Sequence, residues 1–352
     1  MKRWEILQGD VRETLRTLEA GSVQTCVTSP PYFGLRDYGV SGQIGLEPTP
    51  ADYVEQMVTV FREVRRVLRE DGTLWLNLGD SYAANRSYQV PSTKGGHKHS
   101  DSQAAGGKAS SVPDGLKPKD LIGIPWRVAF ALQTDGWYLR QDIIWHKPNP
   151  MPESVRDRCT KAHEYVFLLS KSERYYWDAE AMQEPATSTK KDLLRAKVTG
   201  RGEQAASKAY LGSPQRDKSG GFPAKRSKRD SFKRDGSKRA EVIPGQSVGT
   251  HRPDRDESEY DVFTRNRRSV WTVATRPYKG AHFATFPPTL IEPCILAGTP
   301  FNGLVLDPFT GSGTTAAVAL QHGRRFIGCE LNPDYIKLAE ARIAAAEAEV
   351  LW

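Results

Sequence analysis

The chain has 352 residues, 38% of them hydrophobic and 26% charged, so it can bury the core of one large domain or two modest ones. Four cysteines (Cys26, Cys159, Cys294 and Cys329) lie far apart without a CxxC pair, which argues against a disulfide scaffold or zinc ribbon and fits a reducing compartment. The amino-terminal stretch lacks a signal-peptide core, and no apolar run approaches the roughly 18 residues that span a bilayer. We therefore expect a soluble, cytoplasmic protein with no membrane partner.

The positive charge is concentrated in one segment. The whole chain carries +8, and residues 190–240 carry +11, so the rest of the chain sums to −3. This segment has few apolar residues and no clear period, so we expect a mobile loop that would suit a polyanionic partner. A second soft stretch, 85–115, contains His97 and His99 without a nearby cluster of Cys or carboxylates, so we expect no metal site there.

Strand-like and helix-like segments alternate along the rest of the chain. Helices are expected from residue 10 (with Asp10 as N-cap) to 19 and from 51 until Asp71-Gly72 closes the helix at about residue 70. Further helices are expected over 125–136, 314–322 and from 333 to about 350, and strands over 4–7, 22–28, 73–78, "WYLRQDIIWHK", "HEYVFLLSK", 303–307 and 325–330. The alternation predicts an α/β fold with a mostly parallel sheet covered by helices on both faces.

The segment "VLDPFTGSGTTAAVAL" predicts a strand, a glycine turn and a helix. Gly311 and Gly313 permit a tight turn that brings backbone close to a ligand, and Glu330 at the end of the next strand suits ribose hydroxyls. Asp307 precedes this loop in the sequence, and its negative charge would repel a pyrophosphate. A nucleoside cofactor with a cationic amino-acid tail and no phosphate fits better, which favours S-adenosylmethionine with Asp307 near its positive end.

The segment "VTSPPYFGLRDYG" follows a predicted strand directly. Two prolines make the loop stiff and leave the Pro30 carbonyl without a competing backbone donor. The Ser29 side chain and the Pro30 carbonyl can accept the two N–H bonds of a planar amine, while Tyr32 stacks on its ring. This arrangement would direct the nitrogen lone pair at an electrophile and work by orientation.

VTSPPY together with DPFTGSGTT resembles the amino-group DNA methyltransferases, the N4-cytosine and N6-adenine enzymes. The catalytic motif comes first and the cofactor motif second, as in their β-class arrangement. The resemblance covers roughly residues 4–82, 119–183 and 263–350, and includes "GTLWLNLGDSY", "HEYVFLLSKSERYYWD" and "CELNPDYIKLAEARI". It implies a Rossmann-like methyltransferase fold with circularly permuted motif order.

The resemblance also implies roles for residues at matching positions. The catalytic loop corresponds to Ser29, Pro30, Pro31 and Tyr32. The cofactor-binding positions correspond to Asp10 near the adenine, Phe286 and Pro287 in the segment that closes over the cofactor, Asp307, Pro308, Phe309, Gly311, Gly313 and Thr314 in the methionine loop, and Glu330 at the ribose. No metal ligand is implied.

The same resemblance implies a division of the chain. Residues 1–82 and 119–183 would form the catalytic half of the domain and its continuation, and 263–352 the cofactor-binding half. Residues 83–118 would be a flexible insertion, and the basic insertion 184–262 the target-recognition region.

Double-stranded DNA is the implied partner, with the target base flipped out of the duplex. Serine at position 29 favours cytosine N4, and adenine N6 is the alternative. Dimers are common in this family, and a cognate restriction endonuclease acting on the same site is a further candidate partner. The sequence leaves the recognition site and the oligomeric state open.

Other classes remain as rivals. A 5-methylcytosine enzyme needs a nucleophilic cysteine, but Cys294 lies on an apolar helical face and is expected to be a small buried residue. A nicotinamide-dependent dehydrogenase could use the glycine loop, but leaves the SPPY loop unexplained. A DNA-binding protein without catalysis, or an enzyme acting on RNA or protein amines, also remains open.

Overall fold

The computed structural model describes residues 2–35, 37–83, 116–186, 264–275 and 286–350. The strands are β1 (Trp4–Gln8), β2 (Val23–Thr28), β3 (Leu68–Leu78), β4 (Tyr138–His146), β5 (His163–Ser170), β6 (Gln183–Pro185), β7 (Thr264–Asn266), β8 (Val270–Thr272), β9 (Leu304–Asp307) and β10 (Arg325–Glu330). The helices are α1 (Val11–Thr14, followed by a 3-10 turn Leu15–Thr17), α2 (Pro50–Val67), α3 (Ile124–Thr134), α4 (Pro288–Gly298), α5 (Thr314–Gln321) and α6 (Pro333–Val350).

Eight strands form one sheet in the order β1-β10-β9-β2-β3-β5-β4-β8. Only β5 runs against its neighbours, and the other strands all point the same way. The prediction of a mostly parallel sheet is therefore confirmed. Because β2 and β9 are adjacent and parallel, the segments that follow them leave the same edge of the sheet.

Helices cover both faces of the sheet, as predicted. Helices α1, α2 and α3 pack on one face, where Tyr53, Met57 and Phe61 of α2 are fully buried. Helices α4, α5 and α6 pack on the other face, around Trp75 of β3 and Phe326 of β10. Each face therefore has its own apolar core, which fixes the positions of the strand ends between them.

The end of α2 differs from its prediction. The helix begins with a capping box, in which the Thr49 hydroxyl accepts from the Asp52 N–H at 3.2 Å, and it ends at Val67. Leu68 is already extended, fully buried and paired with Val23 of β2. Asp71 and Gly72 consequently lie within β3 and do not close the helix, because pairing and burial of Leu68 outweigh the local turn signal.

The chain divides into two compact units, one of residues 1–182 with 266–352, the other of residues 183–265. In the smaller unit, the structure describes only the edges, where Arg265 Nε donates to Glu184 Oε1 at 2.9 Å. The predicted insertions at 83–118 and 184–262 fall almost wholly outside the described residues. Within the described part of the chain, no helix is both long and apolar enough to cross a membrane.

Gly298 tests how closely α4 lies on the sheet. A Cβ added there would lie 2.8 Å from Thr25 Oγ1 and 2.9 Å from Thr73 Oγ1. We therefore expect Gly298→Ala to lower the free energy of unfolding by about 1–3 kcal/mol through overpacking. Denaturant titration followed by circular dichroism measures this change. Thr289→Ala, exposed on the same helix, should shift it by less than about 0.5 kcal/mol, and equal shifts would contradict the close contact.

Candidate active site

The loops after β2 and β9 meet in one cavity of about 840 Å³. A direct hydrogen bond joins their bases, because the Thr28 hydroxyl donates to Asp307 Oδ1 at 2.7 Å. Ser29 lies one residue after Thr28, and Gly311 four residues after Asp307, and both line the cavity. Two motifs separated by about 280 positions in the chain therefore share one site.

Asp307 is buried and accepts three hydrogen bonds. Besides Thr28, the Phe309 N–H donates to its Oδ1 at 3.0 Å and the Thr315 hydroxyl donates to its Oδ2 at 2.6 Å. Burial raises the pKa of Asp307 to about 6, although the Thr315 and Thr28 hydrogen bonds act in the opposite direction. The three hydrogen bonds hold the carboxylate in place, and Asp307 lines the cavity.

Glu330 ends β10 and also lines the cavity. Its Oε2 accepts from the Gly311 N–H and its Oε1 from the Asn332 N–H, both at 2.8 Å. Burial raises the pKa of Glu330, and these backbone hydrogen bonds partly offset the effect. Gly311 adopts a positive φ of 52°, which lets the loop turn back toward Glu330.

Two residues predicted to bind the cofactor do not line the cavity. Gly313 is the N-cap of α5 at φ 75°, and a Cβ added there would lie 2.9 Å from Cα of Ala339 in α6. This glycine allows close packing of the two helices. Pro287 is buried just before α4, whereas its neighbour Phe286 lines the cavity. The lining also includes the remaining predicted positions, namely Asp10, Ser29, Pro30, Pro31, Tyr32, Asp307, Pro308, Phe309, Gly311, Thr314 and Glu330.

Asp10 is the N-cap of α1, as predicted, because its Oδ1 accepts from the Arg12 N–H at 2.8 Å. The Arg12 guanidinium also pairs with this carboxylate and holds the pKa of Asp10 below its usual value. Arg12 Nη1 in turn donates to Gln56 Oε1 of α2 at 2.8 Å. The Asp10 side chain is therefore fixed at the cavity wall with its charge neutralised.

The SPPY loop is anchored at its third residue. The buried Tyr53 hydroxyl of α2 donates to the Pro31 carbonyl at 2.8 Å. Within the described residues, nothing donates to the Pro30 carbonyl, and Pro30 lines the cavity together with Ser29. The backbone is thus held by one carbonyl while the preceding one keeps its acceptor capacity.

Sequence reasoning missed the polar residues that surround Tyr32. The Tyr32 hydroxyl donates to Glu164 Oε2 of β5 at 2.7 Å and lies 3.2 Å from Asn77 Oδ1 of β3. Lys147 forms an ion pair with the other oxygen of Glu164. These residues share no sequence motif with the SPPY loop, and only the insertion of β5 between β3 and β4 brings them to it.

Gly79, which follows β3, makes room for the Tyr32 ring. A Cβ added there would lie 2.6 Å from Tyr32 Cε2 and 3.1 Å from Cδ2. The motif "NLGDSY" was noted in the sequence, but its glycine was not assigned a role. Only a residue without a side chain can fit against this ring.

Charges are distributed unevenly around the cavity. Lys147, Lys161 and Glu164 line the end that holds the SPPY loop, and Lys161 Nζ donates to the Asp80 carbonyl at 2.5 Å. Burial lowers the pKa of Lys161. The glycine-loop end carries Asp307 and Glu330, and among the described lining residues no Lys or Arg lies in that loop. Two carboxylates would repel a phosphate, so this end of the cavity fits a cationic nucleoside.

Cys294, the candidate nucleophile of the 5-methylcytosine rival, is fully buried in α4 among core residues. Its thiol points back to the Leu290 carbonyl at 3.7 Å, burial raises its pKa, and it does not line the cavity. A thiol in this environment is a small core residue and not an attacking group.

The sheet is mostly parallel, and its β2 and β9 ends bring a Ser-Pro-Pro-Tyr loop and a glycine loop into one cavity. This combination is that of the amino-group methyltransferases. The chain belongs to the N6/N4-type DNA methylase family, whose family model matches residues 23–341.

Similar proteins agree with this assignment. The Type II methyltransferase M.Cfr9I of Citrobacter freundii is 44% identical, with 98% of this chain and 89% of the relative covered. M.SmaI of Serratia marcescens is 42% identical, with 97% and 91% covered. Among solved structures, the PvuII DNA methyltransferase (cytosine-N4-specific) matches with a TM-score of 0.56 at 16% identity, covering 100% of this chain and 93% of that one. This structural likeness supports the fold.

Gly79→Ala tests whether activity requires the Tyr32 ring in its present position against Gly79. The added methyl would displace the phenol ring from the cavity wall. We expect methyl transfer to fall on the order of 100-fold, as for other small misplacements at reacting groups. Radiolabelled transfer to DNA measures the rate. Gly21→Ala, at a positive φ with nothing within 4 Å, is the control and should cost stability but not activity; comparable activity losses would contradict this role of Gly79.

Proposed function

We propose that this protein methylates DNA site-specifically, at the exocyclic amine of a flipped base, with S-adenosylmethionine as the methyl donor. The favoured target is cytosine N4. The Thr28–Asp307 hydrogen bond is the main support, because it fastens an amine-binding loop to a nucleoside-binding loop inside one cavity.

The glycine-loop end of the cavity suits the donor. Glu330 would accept from the ribose hydroxyls, and Asp307 would face the positive end of the molecule. Phe286 and Phe309 supply aromatic walls, and Asp10 lies further along the lining. When bound, S-adenosylmethionine supplies an electrophilic methyl group on a sulfonium. A buried Asp307 near that charge would strengthen binding more than a solvated carboxylate could.

The SPPY end of the cavity suits a planar amine. Ser29 Oγ and the Pro30 carbonyl would accept its two N–H groups, and Tyr32 would stack on its ring. The nitrogen would gain positive charge as it takes the methyl group and the carbon–sulfur bond of the donor breaks, which leaves a neutral thioether. Both acceptors would therefore bind the amine more tightly then than at the start. The amine proton leaves after transfer, since a serine hydroxyl is not a base at neutral pH.

Cytosine N4 is favoured by the residue at position 29. Both target amines project from a six-membered ring beside a ring nitrogen, so the loop geometry suits either one. Serine before Pro-Pro-Tyr is typical of the N4-cytosine members of this family, whereas Asp or Asn is commoner in the N6-adenine members. N6-adenine remains the alternative target.

The basic insertion would supply DNA contacts. Residues 190–240 carry a net charge of +11 and fall within 184–262, the proposed target-recognition region. Lys and Arg there would neutralise phosphates and make affinity salt-dependent. Because similar proteins are Type II methyltransferases, we also propose a cognate restriction endonuclease for the same site. A homodimer is compatible with this role.

Modification-sensitive sequencing tests the proposed function directly. DNA from cells expressing the chain should carry N4-methylcytosine within one short motif. Methylation of adenine would establish the alternative target, and unmodified DNA would refute the function.

A Tyr32→Ala variant should affect turnover without affecting cofactor binding. Loss of stacking should lower turnover roughly 10- to 100-fold, the effect of removing an aromatic base-stacking partner. Calorimetry should show unchanged binding of S-adenosylmethionine. Equal loss of turnover and cofactor affinity would contradict the role assigned to Tyr32.

Cofactor binding should depend on pH through Asp307. Its pKa of about 6 means that acidification below pH 6 neutralises the carboxylate that would face the sulfonium. Affinity for S-adenosylmethionine should therefore be highest above pH 6 and fall by up to about tenfold per pH unit below it. Calorimetry between pH 5 and 8 measures this. S-adenosylhomocysteine has no sulfonium charge, so its affinity should depend less on pH. Identical pH dependence of the two affinities would contradict the role of Asp307 and would assign the effect to another group, such as Glu330.

A further inference from the structure

A partly buried carboxylate contacts Tyr32 of the SPPY loop, where the proposed chemistry does not itself require one. The Glu164 side chain is 14% exposed and receives the Tyr32 hydroxyl at 2.7 Å and Asn77 Nδ2 at 3.2 Å on the same oxygen. Its second oxygen pairs with Lys147. Burying an ion pair gains little stability by itself, so the placement of this one against Tyr32 invites a functional explanation.

The carboxylate imposes a direction on the hydrogen bonds of the loop. An ionised carboxylate only accepts, so the single proton of the Tyr32 hydroxyl is committed to Glu164. The Asn77 amide is fixed by its own bond from Nδ2 to the Tyr165 carbonyl at 3.0 Å, which turns Oδ1 toward Tyr32. Asn77 Oδ1 and Glu164 Oε2 are thus both acceptors, and neither atom can donate to the phenol oxygen.

Ser29 completes this chain of hydrogen bonds. Its Oγ lies 3.4 Å from the Tyr32 hydroxyl, whose proton is already used. In this contact Ser29 must be the donor. Its own proton is then used by Tyr32, and both lone pairs of Oγ remain available to accept from an amine.

We propose that Glu164 is a positioning residue, which acts through Tyr32 to hold the Ser29 hydroxyl as a hydrogen-bond acceptor for the substrate amine. Lys147 pairs with the second oxygen of Glu164, and Lys147 Nζ is itself held 4.3 Å from the centroid of the Trp145 ring. Without the carboxylate, the Tyr32 hydroxyl keeps only the longer bond to Asn77 Oδ1 at 3.2 Å, so its proton is no longer held away from Ser29. If the two hydroxyls then reverse direction, Ser29 presents a proton to the amine and offers it one acceptor position fewer. The inference rests on the proposed function, because it requires an amine at Ser29.

Glu164→Met removes the acceptor while keeping similar bulk. We expect the maximal rate of methyl transfer to DNA to fall roughly 10- to 100-fold, the effect of losing one charge-assisted hydrogen bond. The KM for S-adenosylmethionine and the affinity for DNA should stay within about twofold. Glu164→Gln keeps one oxygen that can accept from Tyr32, so it should retain more activity than the Met variant. Glu70→Gln, an exposed glutamate paired with Lys171, is the control and should match the parent chain.

A double-mutant cycle with Tyr32→Phe distinguishes positioning from general destabilisation. If Glu164 acts through the phenol, Glu164→Met should cost less than about twofold once the Tyr32 hydroxyl is absent. The same cost in both backgrounds would overturn the proposal. So would a full rate in either single variant.

Folding of the variants is controlled separately. If the unpaired Lys147 destabilises Glu164→Met, the double variant Lys147→Met/Glu164→Met removes both charges of the ion pair. A stable double variant with an impaired rate supports the positioning role, whereas a recovered rate overturns it. An inactive parent chain would instead refute the proposed function, so the two failures are distinguishable.

Discussion

One buried hydrogen bond, from the Thr28 hydroxyl to the Asp307 carboxylate, holds the two halves of the site together. It follows from the pairing of β2 with β9, which places Cys26 opposite Leu306 and brings both strands to the same edge. The two loops begin after Thr28 and Asp307, the last residues of these strands. Any shift in the register of β2 against β9 would separate the SPPY loop from the glycine loop, so the core that fixes this register also fixes the shape of the cavity.

Asp307 combines two requirements that oppose each other. A carboxylate buried beside the two apolar cores is unfavourable, and its raised pKa reflects that penalty. Hydrogen bonds from two hydroxyls and one backbone N–H offset part of the penalty without adding a positive charge. The carboxylate therefore remains electrostatically uncompensated, which is the state in which it would attract a cation most strongly.

The parts of this structure that sequence could predict are those set by local patterns. The alternation of apolar runs with capped helices predicted nearly every strand and helix of the described core, and the SPPY and glycine loops were recognisable because stiff or glycine-rich turns have distinctive residues. The start of β3 was mispredicted, since burial of Leu68 depends on β2. The polar residues around Tyr32 were missed for the same reason. Asn77 lies in β3, Glu164 lies in β5 and Lys147 directly follows β4, and only the sheet order brings them together.

The two ends of the cavity handle charge in different ways, and this difference is consistent with different ligands. At the glycine-loop end, Asp307 and Glu330 are satisfied by neutral donors and retain their charge toward the cavity. At the SPPY end, Glu164 is neutralised by Lys147 and faces Tyr32. A cation is attracted to the first environment, whereas the second suits a neutral, planar group that is recognised by hydrogen bonds and stacking. The two environments meet at Thr28 and Asp307, so a cationic donor and a neutral amine would each reach the junction from its own end.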